Sequence, residues 1–352
     1  MGPTRTTLPD GRLHWQHGPI ELVIDAEGEA GLVDSAHAAA WARFQTILQE
    51  LVDELPRLRM PVAPAPQGLG GQGIDARRLC GTPIDPCPLQ GPVARRMWRA
   101  CAALPVGFIT PMAAVAGAVA QEILIPYATA GLRRASVNNG GDIALHLAPG
   151  EAFRIGTVHD IHAAIGRPSH AAIGRSSHTA IGRPSRATAN RAPSQASGHA
   201  GTARPDSTFT VRDTDPVHGV ATSGWRGRSH SLGIADAVTV LAATAAQADA
   251  AATVLANAVD VEPDHPGVQR EPARALRHDS DLGERLVTVD VAALPSMAVQ
   301  QALARGLALA RRLQADGLIH AAVLACQGQT RVLEPTRTGA SLAAEPTLPL
   351  AA

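Results

Sequence analysis

The chain has 352 residues, of which 45% are hydrophobic, so it is long and apolar enough to form a globular protein with a sizeable core. Its 31 basic residues balance 31 acidic residues, and the formal net charge is zero. Because a basic field is what holds a nucleic acid backbone, no nucleic acid partner is expected. Lysine is absent, which excludes reactions that depend on a phosphate-binding or Schiff-base lysine.

The N-terminus carries no apolar signal segment, and a cytoplasmic location is therefore predicted. The most apolar stretch, residues 102–127, contains prolines, a glutamine and a glutamate, and it is richer in alanine and glycine than in leucine. This composition favours a buried helix over a membrane span, so no membrane partner is expected.

The N-terminal part is predicted to form a hairpin followed by helices. Alternating apolar residues in 13–17 and 20–24 indicate two half-buried strands. A helix follows, in which large apolar residues recur every three or four positions until Pro56 ends it. These residues are Trp41, Phe44, Leu48, Leu51 and Leu55. After a loop rich in proline and glycine, helices are predicted over 92–104 and 112–124.

Strands are predicted over 135–147 and 153–158, and the pattern then breaks. An octapeptide that begins with histidine occurs three times in nearly identical form between His162 and Ser185. Its period is too short for a solenoid, and it has few large apolar groups to offset the entropy of ordering. Residues 159–207 are therefore predicted to be a disordered low-complexity insertion, with solvated histidines rather than metal ligands.

The second half resumes the alternation of strands and helices, which predicts an α+β fold. The predicted strands are 208–212, 237–241, 286–291 and 318–325, and the predicted helices are 245–258 and 296–315. Residues 1–158 and 208–330 are interpreted as the two parts of a single domain. Residues 331–352 are low in complexity and are predicted to be a flexible tail.

A glycine-bearing segment, Asn139, Gly140, Gly141 and Asp142, interrupts the strand predicted over 135–147. Two glycines weaken strand pairing unless a bulge or a ligand requires them. Glycine also lets the backbone approach a ligand closely and turn its N–H groups toward negative charge. The residues alone leave both readings open, a bulge and a nucleotide-binding loop.

A second polar segment consists of Ala221, Thr222, Ser223 and Gly224. A hydroxyl-rich turn of this kind either caps the next element or holds a diphosphate through backbone N–H and side-chain O–H groups. The sequence is compatible with both.

Asp249 and Thr253 lie four residues apart in the helix predicted over 245–258, so their oxygen atoms share one face. Hard oxygen ligands of this kind suit Mg²⁺. The alternative is that Asp249 interacts with the helix dipole while Thr253 faces a neighbouring element. An acidic turn with Asp279, Asp281 and Glu284 is another candidate for a hard cation, although such turns are usually solvated.

Taken in order, these V-N-x-G-G-D, A-T-S-G and A-D-A-x-x-T patterns resemble the ApbE-like superfamily, whose best-known members are FAD:protein FMN transferases. The chain looks most similar to the branch called uncharacterised protein family 0280, and the likeness spans roughly residues 10–328 outside the insertion. The resemblance implies an ApbE-like α+β fold in which helices pack on a mixed sheet and the site lies between the two halves.

The resemblance also implies roles for individual residues. The two polar segments, residues 139–142 and 221–224, would bind a flavin nucleotide, FAD or FMN. Mg²⁺ would be held by Asp249, Thr253 and the backbone carbonyl of Ala116. His230 is the nearest match to a histidine of the family and is the candidate catalytic acid or base.

The chain departs from the family at three points. It lacks the Asp-Pro-x-Thr-Gly loop near His230 and a recognisable Ser-rich segment after the first strands. In addition, Gly117 stands where the family carries a lysine, whose charge would attract flavin phosphates. Two functions stay open. One is a Mg²⁺-dependent transferase that moves FMN or a nucleotidyl group to a protein acceptor that the sequence does not name. The other is a non-catalytic flavin-binding or assembly factor.

Overall fold

The computed structural model describes residues 2–62, 87–129, 131–157, 179–182, 207–227 and 229–335. Its strands are β1 (Thr4–Thr7), β2 (Leu13–His17), β3 (Ile20–Glu27), β4 (Arg134–Asn139), β5 (Asp142–Leu147), β6 (Ala152–Thr157), β7 (Thr179–Gly182), β8 (Ser207–Arg212), β9 (Gly219–Ser223), β10 (Ala237–Ala242), β11 (Val268–Pro272), β12 (Leu286–Val291), β13 (Ala321–Cys326) and β14 (Gln329–Leu333). Its helices are α1 (Ala30–Asp53), α2 (Leu55–Leu58), α3 (Pro92–Ala102), α4 (Val115–Thr129), α5 (Ala245–Ala258), α6 (Ala273–Leu276) and α7 (Ser296–Ala315). A 3₁₀ turn, Pro111–Ala114, leads into α4.

The predicted N-terminal hairpin and helix are confirmed, except that α1 ends at Asp53 and Pro56 lies in the first turn of α2. Strands β2 and β3 pair in antiparallel register, with Leu13 opposite Ile24. Helix α1 covers them because small and large apolar residues recur along one face, and these are buried. They are Ala36, Ala40, Phe44, Ile47 and Leu51. The Trp15 ring of β2 meets the Trp41 ring of α1 edge-on, with centroids 5.2 Å apart, so aromatic packing joins sheet and helix.

Nine strands form one large sheet in the order β1-β2-β3-β4-β5-β9-β10-β13-β14. Every pairing in this sheet is antiparallel. The α+β class is confirmed, but the prediction of a mixed sheet is wrong. Each long connection, such as the helical segment between β3 and β4, leads to a strand that lies beside the preceding strand of this sheet and runs antiparallel to it.

The two faces of the sheet pack against different layers. Ala144 of β5 and Ala221 of β9 belong to the main core, which includes helices α1, α3, α4, α5 and α7. Their neighbours in sequence, Ile143 and Val220, point to the opposite face because side chains alternate along a strand. There they join Phe153 of β6 in a second, smaller apolar cluster. A three-stranded sheet, in the order β7-β6-β8, therefore covers part of the face that the helices leave open.

The single strand predicted over 135–147 is wrong, because β4 and β5 form a hairpin with Asn139 opposite Asp142. Gly140 and Gly141 make the connection with φ angles of 66° and 116°. A two-residue hairpin turn of this type needs positive φ at both positions, which glycine adopts at little cost. The glycines thus form a turn and not a bulge, and the alternative reading of a nucleotide-binding loop stays a prediction.

Strand β7 lies within the predicted insertion, residues 159–207. It pairs with β6 from Thr157 opposite Thr179 to Arg154 opposite Gly182, and the disorder of the insertion stays a prediction. The backbone groups along that edge of β6 are hydrogen-bonded by this pairing. Likewise β14 extends to Leu333, beyond the predicted start of the flexible tail at residue 331. Of residues 159–207 and 331–352, the structure describes Thr179–Gly182, Ser207 and residues 331–335. The others lie outside the described residues.

One described stretch, Pro111–Ala128, has the length and apolar composition of a membrane-crossing helix, with a mean hydropathy of 1.2, but 56% of it is buried inside the fold. It packs against α1, α3, α5 and strands β4 and β5. This burial is consistent with the core helix of a soluble protein. The cytoplasmic location stays a prediction.

A matched pair of substitutions tests how α7 packs. A methyl group at Gly306 would lie 2.4 Å from Val259 Cγ2, whereas at Gly31, in the first turn of α1, it would meet nothing within 4 Å. Both Gly→Ala changes favour helix formation by up to about 1 kcal/mol, but overpacking costs about 1–3 kcal/mol at Gly306 alone. Urea unfolding should show Gly306→Ala to be less stable than Gly31→Ala by that amount. Equal stability of the two variants would contradict the close packing of α7.

Candidate functional site

The β4–β5 turn places two polar side chains next to each other at one end of the sheet. Asn139 is buried, and its Nδ2 group donates to the backbone carbonyl of Ala116 at 3.0 Å. Asp142 accepts from the Thr222 backbone N–H through Oδ1 at 3.2 Å. Asn138 stabilises the turn itself, because its Oδ1 accepts from the Gly141 N–H at 2.8 Å. The hairpin thus joins the start of α4 to strand β9.

Helices α4 and α5 approach each other closely at Gly117. A methyl group there would lie only 2.2 Å from the Ala245 carbonyl oxygen, so no larger side chain fits without moving a helix. The Gly117 N–H donates to Asp249 Oδ2 at 2.8 Å. This packing supplies a physical reason why the chain has glycine, and not the family's lysine, at this position.

Two carboxylates, Asp142 and Asp249, lie near each other where the hairpin meets the helices, and this place is named the carboxylate recess. Desolvation by the surrounding protein raises the pKa of Asp249 well above its usual range, and the negative charge of Asp142 raises this pKa further. Backbone hydrogen bonds from Gly117 and Ala116 act in the opposite direction. Asp249 nevertheless keeps partial contact with solvent. Two carboxylates so placed are stabilised when they share a proton or a cation.

The A-T-S-G segment is part of a strand and not a turn. Ala221, Thr222 and Ser223 belong to β9 and pair with β10, and Thr222 Oγ1 lies 2.9 Å from Thr239 Oγ1. Gly224 follows the strand, where a methyl group would come within 2.3 Å of the Asp236 carbonyl oxygen. Capping of a following helix is therefore not the role of these residues. Their role in binding a nucleotide stays a prediction.

Thr253 lies one turn beyond Asp249 on α5 and is partly exposed. His230 is placed differently, because the adjacent Ser231 contacts Asn257 near the end of α5, with Oγ and Oδ1 3.1 Å apart. Asn257 is two turns past Asp249, about 12 Å along the helix axis. Burial lowers the pKa of His230, the nearby Arg277 charge lowers it further, and Asp281 opposes both. The acid/base role of His230 stays a prediction.

The alternative readings of the carboxylates are less well supported. Asp249 is the fifth residue of α5, beyond the first turn, where the effect of the helix dipole fades. In the acidic turn, Asp279 pairs with Arg59 at 2.6 Å, Asp281 accepts from Thr110, and Glu284 pairs with Arg274. Across the described ranges, no group of three or more His, Cys, Asp or Glu side chains is arranged to hold a metal ion. A cation between Asp142 and Asp249 would need carbonyl, hydroxyl, phosphate or water oxygens as its other ligands.

The closeness of Asp142 to Asp249 was missed by the sequence reasoning, which assigned the first residue to the nucleotide and the second to the metal. The available signal was the Asn-Gly-Gly-Asp pattern, because a two-residue glycine turn predicts a hairpin and places its flanking side chains opposite each other. The contact with α5 depends on long-range packing, which no local pattern gives.

A family model described as AbpE bacteria matches residues 5–332. The chain therefore belongs to this family. Because the match runs from β1 into β14, it includes every residue of the carboxylate recess.

Three relatives carry the printed name UPF0280 protein. The protein from Methanocella arvoryzae is 31% identical over 175 residues, which are 49% of this chain and 53% of the relative. The protein from Methanosarcina acetivorans is 31% identical over 177 residues, 50% and 52% of the two chains. The one from Methanothermobacter thermautotrophicus is 30% identical over 187 residues, 53% and 56%. The chain spans about half the length of these curated relatives. They support the predicted likeness to family 0280, while the ApbE-like superfamily and its fold stay predictions.

The raised pKa of Asp249 predicts how stability changes with pH in EDTA. Folded protein keeps a proton on Asp249 at pH values where the unfolded chain, with a pKa near 3.8, has lost it. Wild-type stability should therefore fall as pH rises from about 4 through the raised pKa, and Asp249→Asn should remove this contribution. Urea unfolding of both proteins between about pH 4 and pH 8 measures the difference. Parallel pH profiles would show that Asp249 ionises normally.

Proposed function

We propose that the recess between Asp142 and Asp249 binds Mg²⁺ and, through it, the phosphates of a flavin nucleotide. The observation that carries the proposal is the pair of carboxylates held close together by the β4–β5 hairpin and by the Gly117 N–H. A divalent cation relieves their mutual repulsion.

The oxygen atoms around the recess suit a hard cation. Asp142 and Asp249 supply carboxylate oxygens. The Ala116 carbonyl is the proposed third oxygen, and it also accepts a hydrogen bond from Asn139. Thr253 adds a hydroxyl group on the same face of α5. Magnesium takes few protein ligands and completes its octahedron with water and phosphate oxygens. The donor set therefore favours a phosphate-bearing ligand, and the resemblance to flavin transferases favours FAD or FMN.

When bound, Mg²⁺ would neutralise phosphate charge. Three hydrogen bonds position the groups that would hold the ion. The Gly117 N–H orients Asp249, Asn139 orients the Ala116 carbonyl, and Asp142 accepts from the Thr222 N–H of β9. Because a ligating carboxylate must be ionised, Mg²⁺ binding should lower the pKa of Asp249, which burial raises. Because the Thr222 N–H already donates to Asp142, Ser223 is the residue of β9 that we expect to contact phosphate.

Two versions of the function differ in chemistry. In a transferase, FMN moves from FAD to an acceptor hydroxyl group, AMP leaves, and His230 is the proposed acid or base. In a non-catalytic flavin-binding or assembly factor, the nucleotide stays intact. The close approach at Gly117, which excludes a lysine, and the position of His230 near the far end of α5 favour the second version.

The Asp249→Asn variant tests the metal site. It keeps the size of the side chain and removes the charge, so FAD affinity measured calorimetrically with Mg²⁺ should fall by about tenfold or more, on the order of 1.4 kcal/mol. In the variant, FAD affinity in Mg²⁺ should also differ little from FAD affinity in EDTA. Asp264→Asn, an exposed carboxylate in a turn, is the control and should behave as the wild type. Equal FAD affinity of wild type and Asp249→Asn in Mg²⁺ would rule the site out.

Detection of AMP separates the two versions. Wild-type protein incubated with FAD, Mg²⁺ and a cell extract as the source of acceptor should release no AMP above a protein-free control if the chain only binds flavin. AMP release that Asp249→Asn and His230→Gln each reduce by about tenfold or more would favour the transferase. Chromatographic separation of FAD, FMN and AMP makes the measurement.

A further inference from the structure

Two buried polar side chains lie opposite each other in the two-stranded sheet of β11 and β12. Arg270 of β11 pairs in register with Thr288 of β12. Residues opposed in this way point to the same face of the sheet, with their Cβ atoms about 4.5–5.5 Å apart. Arg270 Nε and Thr288 Oγ1 are both buried, and neither atom has a hydrogen-bond partner among the described residues. Buried polar atoms are rarely left in this condition, so the pair requires an explanation.

The other nitrogen atoms of Arg270 hold the side chain in place. Its Nη2 pairs with Asp260 Oδ1 at 2.6 Å, and its Nη1 donates to the Leu232 carbonyl at 3.3 Å. The guanidinium group is a rigid plane, so these two contacts also fix the direction of the Nε–H bond. Arg270 cannot turn Nε–H toward another acceptor without giving up one of them.

The fixed side chain passes close to Thr288. The Thr288 backbone N–H donates to the Ser231 carbonyl at 2.8 Å, so Ser231 and Leu232 lie along the edge of β12 that faces away from β11. To reach Leu232 from β11, the Arg270 side chain crosses β12 on the face that carries the Thr288 side chain. This path places Nε beside the Thr288 hydroxyl group.

The charges around this place favour a neutral molecule over an ion. Asp260 already compensates the charge of Arg270, and Thr288 is uncharged. An anion would bring an uncompensated charge into a buried place, and a cation would meet an N–H donor. A water molecule both accepts and donates hydrogen bonds. Buried waters in proteins typically bridge polar groups that have no other partner.

We infer that one buried water molecule binds between Arg270 and Thr288. It accepts a hydrogen bond from Arg270 Nε–H and donates one to Thr288 Oγ1. The water completes the contact between the β11–β12 sheet and the segment of Ser231 and Leu232, which directly follows His230 in the chain. The inference does not depend on the proposed Mg²⁺ site.

The Thr288→Val variant tests the inference through the sign of its effect on stability. Valine has nearly the shape of threonine but no hydroxyl group. If water joins Thr288 to Arg270, the variant deprives that water of a partner, and the melting temperature should fall by about 2 °C or more. If the hydroxyl group is simply unsatisfied, its removal should leave the melting temperature unchanged or raise it, and the inference is then wrong.

Thr330→Val is the matched control, because Thr330 is exposed on β14. Its melting temperature should stay within about 1 °C of the wild type, as expected for a surface substitution. An equal fall in both variants would contradict the inference, since it would reflect the change from threonine to valine in any strand.

A high-resolution crystal structure of the wild-type protein provides a second test that needs no variant. We expect a peak of solvent density at about 2.6–3.2 Å from both Arg270 Nε and Thr288 Oγ1. The peak should persist in crystals grown without chloride. Absence of the peak, or a peak that requires chloride, would overturn the inference even if Thr288→Val does not fold.

Discussion

The contact between α4 and α5 at Gly117 determines how the rest of the candidate site is arranged. Because Gly117 has no side chain, its backbone reaches Ala245 and hydrogen-bonds to Asp249. The same contact fixes the position of Ala116, whose carbonyl then meets Asn139 of the hairpin. A larger residue would separate the helices, and the two carboxylates would no longer share one recess.

Much of the architecture follows from local sequence patterns. Helix α5 begins at Ala245 and ends at Ala258, as predicted, because Thr244 supplies an N-cap and the sequence between is rich in alanine. Helix α7 likewise matches its predicted range, since one face carries a regular stripe of apolar residues. The positions of Asp249 and Thr253 on a common helix face could therefore be read from spacing alone.

Other features depend on packing between distant segments. The hairpin at Gly140 was missed because the two glycines were interpreted as an interruption of one strand, although polar residues flank them. The order of the strands in the sheet depends on which strand each long connection leads to. The spacing of apolar residues along the sequence does not encode this. Nor does it show that Arg270 and Thr288 lie opposite each other, because only the pairing of β11 with β12 brings them together.

The pairing of β7 with β6 has a consequence for how the chain tolerates change. Strand β7 is the Thr-Ala-Ile-Gly segment of the third octapeptide, and the first two copies carry Ala-Ala-Ile-Gly at the same place. The sequence therefore holds two spare versions of the segment that pairs with β6. A substitution in one copy leaves the others intact, and loss or gain of a whole repeat changes the closure entropy by only a few tenths of a kcal/mol, roughly. If the chain loses or gains a whole repeat, its sequence therefore still contains a segment of nearly the same composition as β7.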